Sequence, residues 1–165
     1  MDECARMKSI EMLLVAGIGI GVAAFLYLQN GPADAQVPMQ PSSVDIANGE
    51  TLYAENCAAC HGANLEGQSD WQSPRTDSRL PAPPHDVTGH TWHHGDSLLF
   101  DYTKLGGQAA MAAQGLEFDS AMPGFGDTLT DDQIWNVIAY IKSTWPDQVQ
   151  EMQQSRTESE QLREN

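Results

Sequence analysis

The chain has 165 residues (18.0 kDa), 41% of them hydrophobic and 19% charged, which fits one modest domain with attachments and is too short for a two-domain enzyme. Acidic side chains number 23 against 8 basic, for a formal charge of −15 and a pI near 4.3, so a nucleic-acid backbone is repelled and DNA or RNA binding is excluded as a leading function. Aromatic residues are only 7% of the total, and three cysteines, at 4, 57 and 60, are too few for a disulfide framework; so small a core gains from a large apolar ligand serving as part of its interior.

From Met12 to Leu28 the sequence runs 17 residues without a charge, about 26 Å as a helix, which nearly spans a bilayer core of about 30 Å. Arg6 and Lys8 precede it while Gln29, Asn30 and Asp34 follow it, so the positive-inside rule predicts Met1 in the cytoplasm and the rest exported. Ala33-Asp34-Ala35 has the A-x-A form of a cleavage site, and cleavage after Ala35 would release a soluble periplasmic protein. The apolar run exceeds the usual signal-peptide length of about 7–15 residues, which favours a retained anchor in the bacterial cytoplasmic membrane. Cys4 precedes the apolar run and reads as a reduced cytoplasmic thiol without a role.

Residues 29–43, rich in Pro, Gly, Ser and Gln, read as a flexible linker that reaches about 45 Å if extended. A folded domain is expected over 44–146. Its first helix is predicted from Val44 to Asn56, with Ser43 as N-cap and Ile46, Leu52, Tyr53 and Cys57 on one face. Gly49 in mid-helix costs about 1 kcal/mol relative to Ala, which implies a close helix contact there. A second helix follows Asp96 as N-cap, turns Leu98, Leu99, Tyr102 and Leu105 inward and ends at Gly106. The third has a Thr130/Gln133 capping box, a Leu129/Ile134 staple, an apolar face of Ile134, Val137, Ile138, Ile141 and Trp145, and Pro146 as its stop. The polar tail 147–165 has no apolar stripe and is expected to be frayed helix or disordered.

The chemistry is carried by Cys57-Ala58-Ala59-Cys60-His61. C-x-x-C-H is the sequence form of c-type haem attachment: two thiols three positions apart reach two vinyl groups of one porphyrin, and the adjacent imidazole lies under the iron as proximal ligand. Export fits, because a reduced dithiol or zinc site is more often cytosolic. A thioredoxin-like dithiol wants a βαβ framework, which the pattern lacks. Zinc held by Cys57, Cys60, His90 and His94 is the other alternative, but the stretch from Cys60 to His90 exceeds the usual finger spacing and leaves His61 without a role. The distal ligand is read as Met122 in Ser120-Ala121-Met122-Pro123-Gly124-Phe125-Gly126, where a soft thioether sits in a tight loop just before the third helix.

With these residues in view, the chain resembles the class I cytochromes c over about Ile46 to Trp145. The resemblance rests on Gly49-x-x-Leu52-Tyr53-x-x-x-Cys57-Ala58-Ala59-Cys60-His61-Gly62, on Met122-Pro123-Gly124-Phe125, and on the last helix with Trp135 and Tyr140. It implies an all-α domain with helices packed around one covalently bound haem c and its iron, and a crossing of the first and last helices at Gly49. It also implies a backbone carbonyl in the Pro81–Pro84 stretch that accepts the Nδ1 hydrogen bond of the proximal histidine. The chain departs from the soluble carriers in its proline- and histidine-rich middle and its polar tail.

That middle holds His85, His90, Trp92, His93 and His94. Arg79, His90 and Trp92 are read as contacts to haem propionates; replacement of Met122 by an imidazole, or a second metal such as copper, is the alternative. The function expected is single-electron transfer, without catalysis, between membrane-associated periplasmic redox partners that present a basic docking patch. A subunit of a larger respiratory or dehydrogenase complex, or a haem enzyme or sensor with a labile sixth ligand, stands as the alternative.

Overall fold

The computed structural model describes residues 38–164, so the apolar segment 12–28, its A-x-A site and most of the 29–43 linker lie outside the described residues. Among the described residues all regular elements are helical: α1 (Ile46–Asn56), α2 (Ala58–His61), a 3-10 turn (Thr91–His93), α3 (Asp96–Leu105), α4 (Gly107–Ala113), α5 (Asp131–Ser143) and α6 (Asp147–Glu164). None of the described helices is long and apolar enough to cross a membrane.

Helix α1 begins two residues later than predicted, and its N-cap is Asp45 rather than Ser43. The Asp45 carboxylate accepts the Asn48 N–H at 2.9 Å, satisfying a first-turn donor and placing negative charge at the positive end of the helix dipole. Leu52 and Tyr53 are buried as expected, but Ile46, in the first turn, is half exposed. Gly49 lies against α5 so closely that a Cβ there would stand 2.0 Å from the Asn136 carbonyl oxygen, so the helix-contact reading of this glycine holds. Asn136 clasps the crossing from the side: its Oδ1 accepts from the Asp45 N–H at 2.8 Å and its Nδ2 donates to Asn48 Oδ1 at 3.1 Å.

Helix α5 forms as predicted. Thr130 and Gln133 make both bonds of the capping box, and Leu129, Ile134, Val137, Ile138, Ile141 and Trp145 are all buried. Trp135 is buried too and stacks on Phe100 of α3, with ring centroids 4.6 Å apart. Phe100 is thus the anchor of α3, whereas Leu105, predicted to face inward, is 47% exposed.

Asp96 is not the cap of α3, as predicted, but its first residue, after Gly95. Its carboxylate is engaged elsewhere: Oδ1 accepts from Lys142 Nζ at 2.7 Å and from Gln153 Nε2 at 2.8 Å. These bonds explain why the tail is ordered. Instead of fraying, residues 147–164 form the helix α6, with Gln153 and Thr157 buried. Gln153 also donates to the His94 carbonyl at 3.2 Å, Thr157 Oγ1 accepts the Asp96 N–H at 3.0 Å, and Glu160 accepts the Gly95 N–H at 3.0 Å. Positions 153, 157 and 160 share one helix face, so α6 docks through a polar stripe, invisible to a search for apolar periodicity.

Candidate haem site

Cys57 closes α1 and opens α2: its carbonyl accepts the His61 N–H at 2.9 Å and the Cys60 N–H at 3.1 Å. One tight turn therefore carries both sulfurs and the imidazole. Both thiols are free, Cys60 exposed and Cys57 half-buried; burial and the neighbouring Cys60 push the Cys57 thiol up to about 11. Gly62 leaves the turn at φ +83, a conformation that suits glycine, and its carbonyl accepts from Tyr53 Oη at 3.0 Å.

The His61 ring is buried, and its Nδ1 lies 2.8 Å from the Pro83 carbonyl oxygen. The long excursion between them is brought back by Gln68, whose N–H donates to the Ala82 carbonyl at 2.9 Å and whose Oε1 accepts the Ala82 N–H at 3.0 Å. Burial lowers the His61 pKa, opposed by the bond to Pro83. The ring is thus neutral at physiological pH, with its proton on Nδ1 and the Nε2 lone pair left for a metal.

Met122 lies on a loop stitched to the end of α3. The Phe125 N–H donates to the Thr103 carbonyl at 3.0 Å, Gly126 N–H to the Lys104 carbonyl at 2.9 Å, and Gly107 N–H to the Met122 carbonyl at 3.1 Å. Carbonyls that a helix C-terminus leaves without partners are satisfied by the loop. Gly124 permits that approach, since a Cβ on it would stand 2.6 Å from the Leu105 carbonyl carbon. Ser120 Oγ accepts the Met122 N–H at 3.2 Å and is bonded by Tyr102 Oη at 3.2 Å.

His90 stacks on Trp71 at 5.2 Å and meets His94 edge-on. His90 Nδ1 and Trp92 Nε1 are buried without a hydrogen-bond partner among the described residues, the kind of orphaned polar atoms that an anionic group such as a propionate satisfies. Arg79 is half exposed, paired with Asp119 at 2.9 Å and lining a groove beside Met122. Among the described residues no three His, Cys, Asp or Glu side chains converge on a metal site. Cys57, Cys60, His90 and His94 are therefore not assembled for zinc, nor the histidine cluster for copper. Free paired thiols, a neutral buried imidazole and orphaned polar atoms fit a covalently attached haem.

These features define a helical, haem-binding domain. The family model for cytochrome c matches residues 46–145, and the chain belongs to that family, as a class I c-type cytochrome with covalently bound haem c and its iron. Cytochrome c6 of Diacronema lutheri is 33% identical over 103 residues, covering 60% of this chain and 95% of the relative. The cbb3-type cytochrome c oxidase subunit CcoP of Azospirillum brasilense is 31% identical over 134 residues, 75% of this chain and 40% of that protein. The thiosulfate dehydrogenase of Stutzerimonas stutzeri (strain A1501) is 29% identical over 114 residues, 68% of this chain and 32% of that protein. The chain thus spans nearly all of that cytochrome c6 and less than half of the two larger relatives. No solved structure matches it.

Sequence reasoning missed the packing of His85 on His61, their ring centroids 4.0 Å apart. Neither residue's place in the chain announces it, because the two are brought together only by the return of the loop to Pro83.

Proposed function

We propose that this protein carries single electrons between redox proteins at a bacterial membrane, with Cys57 and Cys60 as haem thioethers, His61 as proximal ligand and Met122 as distal ligand. When bound, the haem supplies a one-electron Fe(II)/Fe(III) couple. The observation that carries the reading is the bond from His61 Nδ1 to the Pro83 carbonyl oxygen, 2.8 Å, beside C-x-x-C. It fixes tautomer and orientation of an imidazole already placed next to two free thiols. The loop bonds of Met122 hold a neutral thioether in a rigid setting, and Met/His ligation raises a haem potential. His90 Nδ1 and Trp92 Nε1 are the residues best suited to propionates; Arg79, the third candidate, has its guanidinium engaged by Asp119.

With His61 and Met122 both holding the iron, the bound haem would pass electrons and would offer no open position for chemistry. The reduced, matured protein is expected to bind no carbon monoxide at neutral pH, whereas Met122→Ala binds it and has a lower potential. Rapid binding by the unaltered protein overturns the reading in favour of an enzyme or sensor. The charge of −15 supports docking to a basic partner, and the apolar run 12–28 with its basic flank supports a membrane anchor with the haem domain in the periplasm, or release there after cleavage following Ala35. A second reading, a subunit of a larger redox complex, is favoured by the match to CcoP; detergent extraction that yields a fixed stoichiometry with other subunits selects it over a free carrier.

A further inference from the structure

His85 lies directly on the proximal imidazole. Its ring stands 4.0 Å from that of His61 with an interplanar angle of 24°, a face-to-face stack. His85 is itself held on several sides. Its Nδ1 lies 2.9 Å from Thr91 Oγ1, and that hydroxyl donates to the Pro84 carbonyl at 3.5 Å. A hydroxyl that donates to a carbonyl accepts from the imidazole, so His85 carries its proton on Nδ1. The His85 N–H donates to the Leu65 carbonyl at 2.8 Å, its own carbonyl accepts from Trp145 Nε1 at 2.7 Å, and Tyr53 meets its ring edge-on at 6.1 Å.

The Pro83 bond restrains His61 at one atom of its ring. A single hydrogen bond fixes where Nδ1 points but resists rocking of the ring plane only softly, since hydrogen-bond directionality at a carbonyl is broad. A flat partner against the face removes that freedom, because tilting either ring breaks the contact over its whole area. An aliphatic side chain would fill the volume without imposing a plane.

We propose that His85 is a positioning residue for the proximal ligand: its ring fixes the plane of the His61 imidazole and so sets the electronic asymmetry and reduction potential of the haem that His61 ligates. The proposal rests on His61 being that ligand. The plane of an axial imidazole decides which porphyrin orbitals share the unpaired electron of the ferric state, and the π-face of a neutral stacked ring favours the more positive ferric form over what an alkyl group would provide.

The test uses the full, matured haem protein and three variants: His85→Leu, His85→Phe and Thr91→Val. In the ferric proton spectrum the order and spread of the four haem methyl resonances report the ligand plane. His85→Phe, which keeps a flat stack, is expected to retain the methyl order. His85→Leu is expected to change the order and shift the potential upward. Thr91→Val, which removes the bond that orients His85 together with the longer one to the Pro84 carbonyl, is expected to change the methyl spread, and by less than His85→Leu does. If folded, low-spin His85→Leu keeps both the methyl order and the potential of the unaltered protein, His85 is mere filling and the proposal falls. Should His85→Leu fail to mature, the other two variants decide: an unchanged Thr91→Val spectrum, or a reordered His85→Phe spectrum, overturns it. Failure of His61 as ligand shows separately, as an unaltered protein without a low-spin, imidazole-ligated spectrum.

Discussion

At the scale of single residues, local bonds were legible in the sequence where the partners lie close along the chain, as for Thr130 with Gln133. They were hidden where a distant segment supplies the partner. The imidazole proposed as proximal ligand is marked by C-x-x-C-H, and the need for a carbonyl partner is implied by the family resemblance, but only the folded loop selects Pro83 from the three prolines of that stretch. Glu160 is a second such case, since nothing near it in sequence indicates that it accepts the Gly95 N–H. Burial raises its pKa, only partly offset by the Gly95 N–H and Arg163. A carboxyl raised in the folded state contributes stability below its ordinary value and loses it as the pH rises through the folded value. Glu160→Gln keeps an oxygen for the Gly95 N–H and cannot ionise. Thermal melts should therefore show the variant more stable than the parent at pH 7, with the gap closing toward about pH 4; a variant less stable at both refutes the burial cost.

Among elements, α5 was predicted closely because capping box, staple and apolar face all agree, whereas α6 was misread because its docking face is polar. Gln153, Thr157 and Glu160 replace the apolar stripe with hydrogen bonds to the start of α3, and such a face has the composition of a solvated one. The α1–α5 crossing was legible from one residue, since a mid-helix glycine that costs about 1 kcal/mol needs a reason to be there. Gly49→Ala gains helix propensity but drives a methyl into the Asn136 carbonyl, which would lie 2.0 Å from it. Overpacking outweighs the gain, so denaturant unfolding should give a net loss of about 1–3 kcal/mol. A more stable variant would mean that the helices separate without cost.

For the whole molecule, the net charge of −15 acts at a range set by salt, about 8 Å at physiological ionic strength. Electron exchange with a basic redox protein is expected to slow as salt is added, because the attraction that steers encounter is screened. A rate unaffected by salt in stopped-flow mixing counts against charge-steered docking. Fold class and cofactor were legible in the sequence because a covalent attachment motif leaves an unambiguous local trace. The Met122 loop was legible only as a methionine between a small residue and a proline, while the bonds that hold it run to carbonyls of α3 that any sequence could provide.

The most direct test of iron held between His61 and Met122 is the proton spectrum of the reduced, matured protein. A methionine methyl lying over the porphyrin face is shielded by the ring current and appears as a three-proton signal far upfield of all others. The predicted result is one such signal in the unaltered protein and its loss in Met122→Ala, with the covalent haem retained in both. A reduced protein without the signal, or a Met122→Ala variant that still shows it, contradicts the ligand pair.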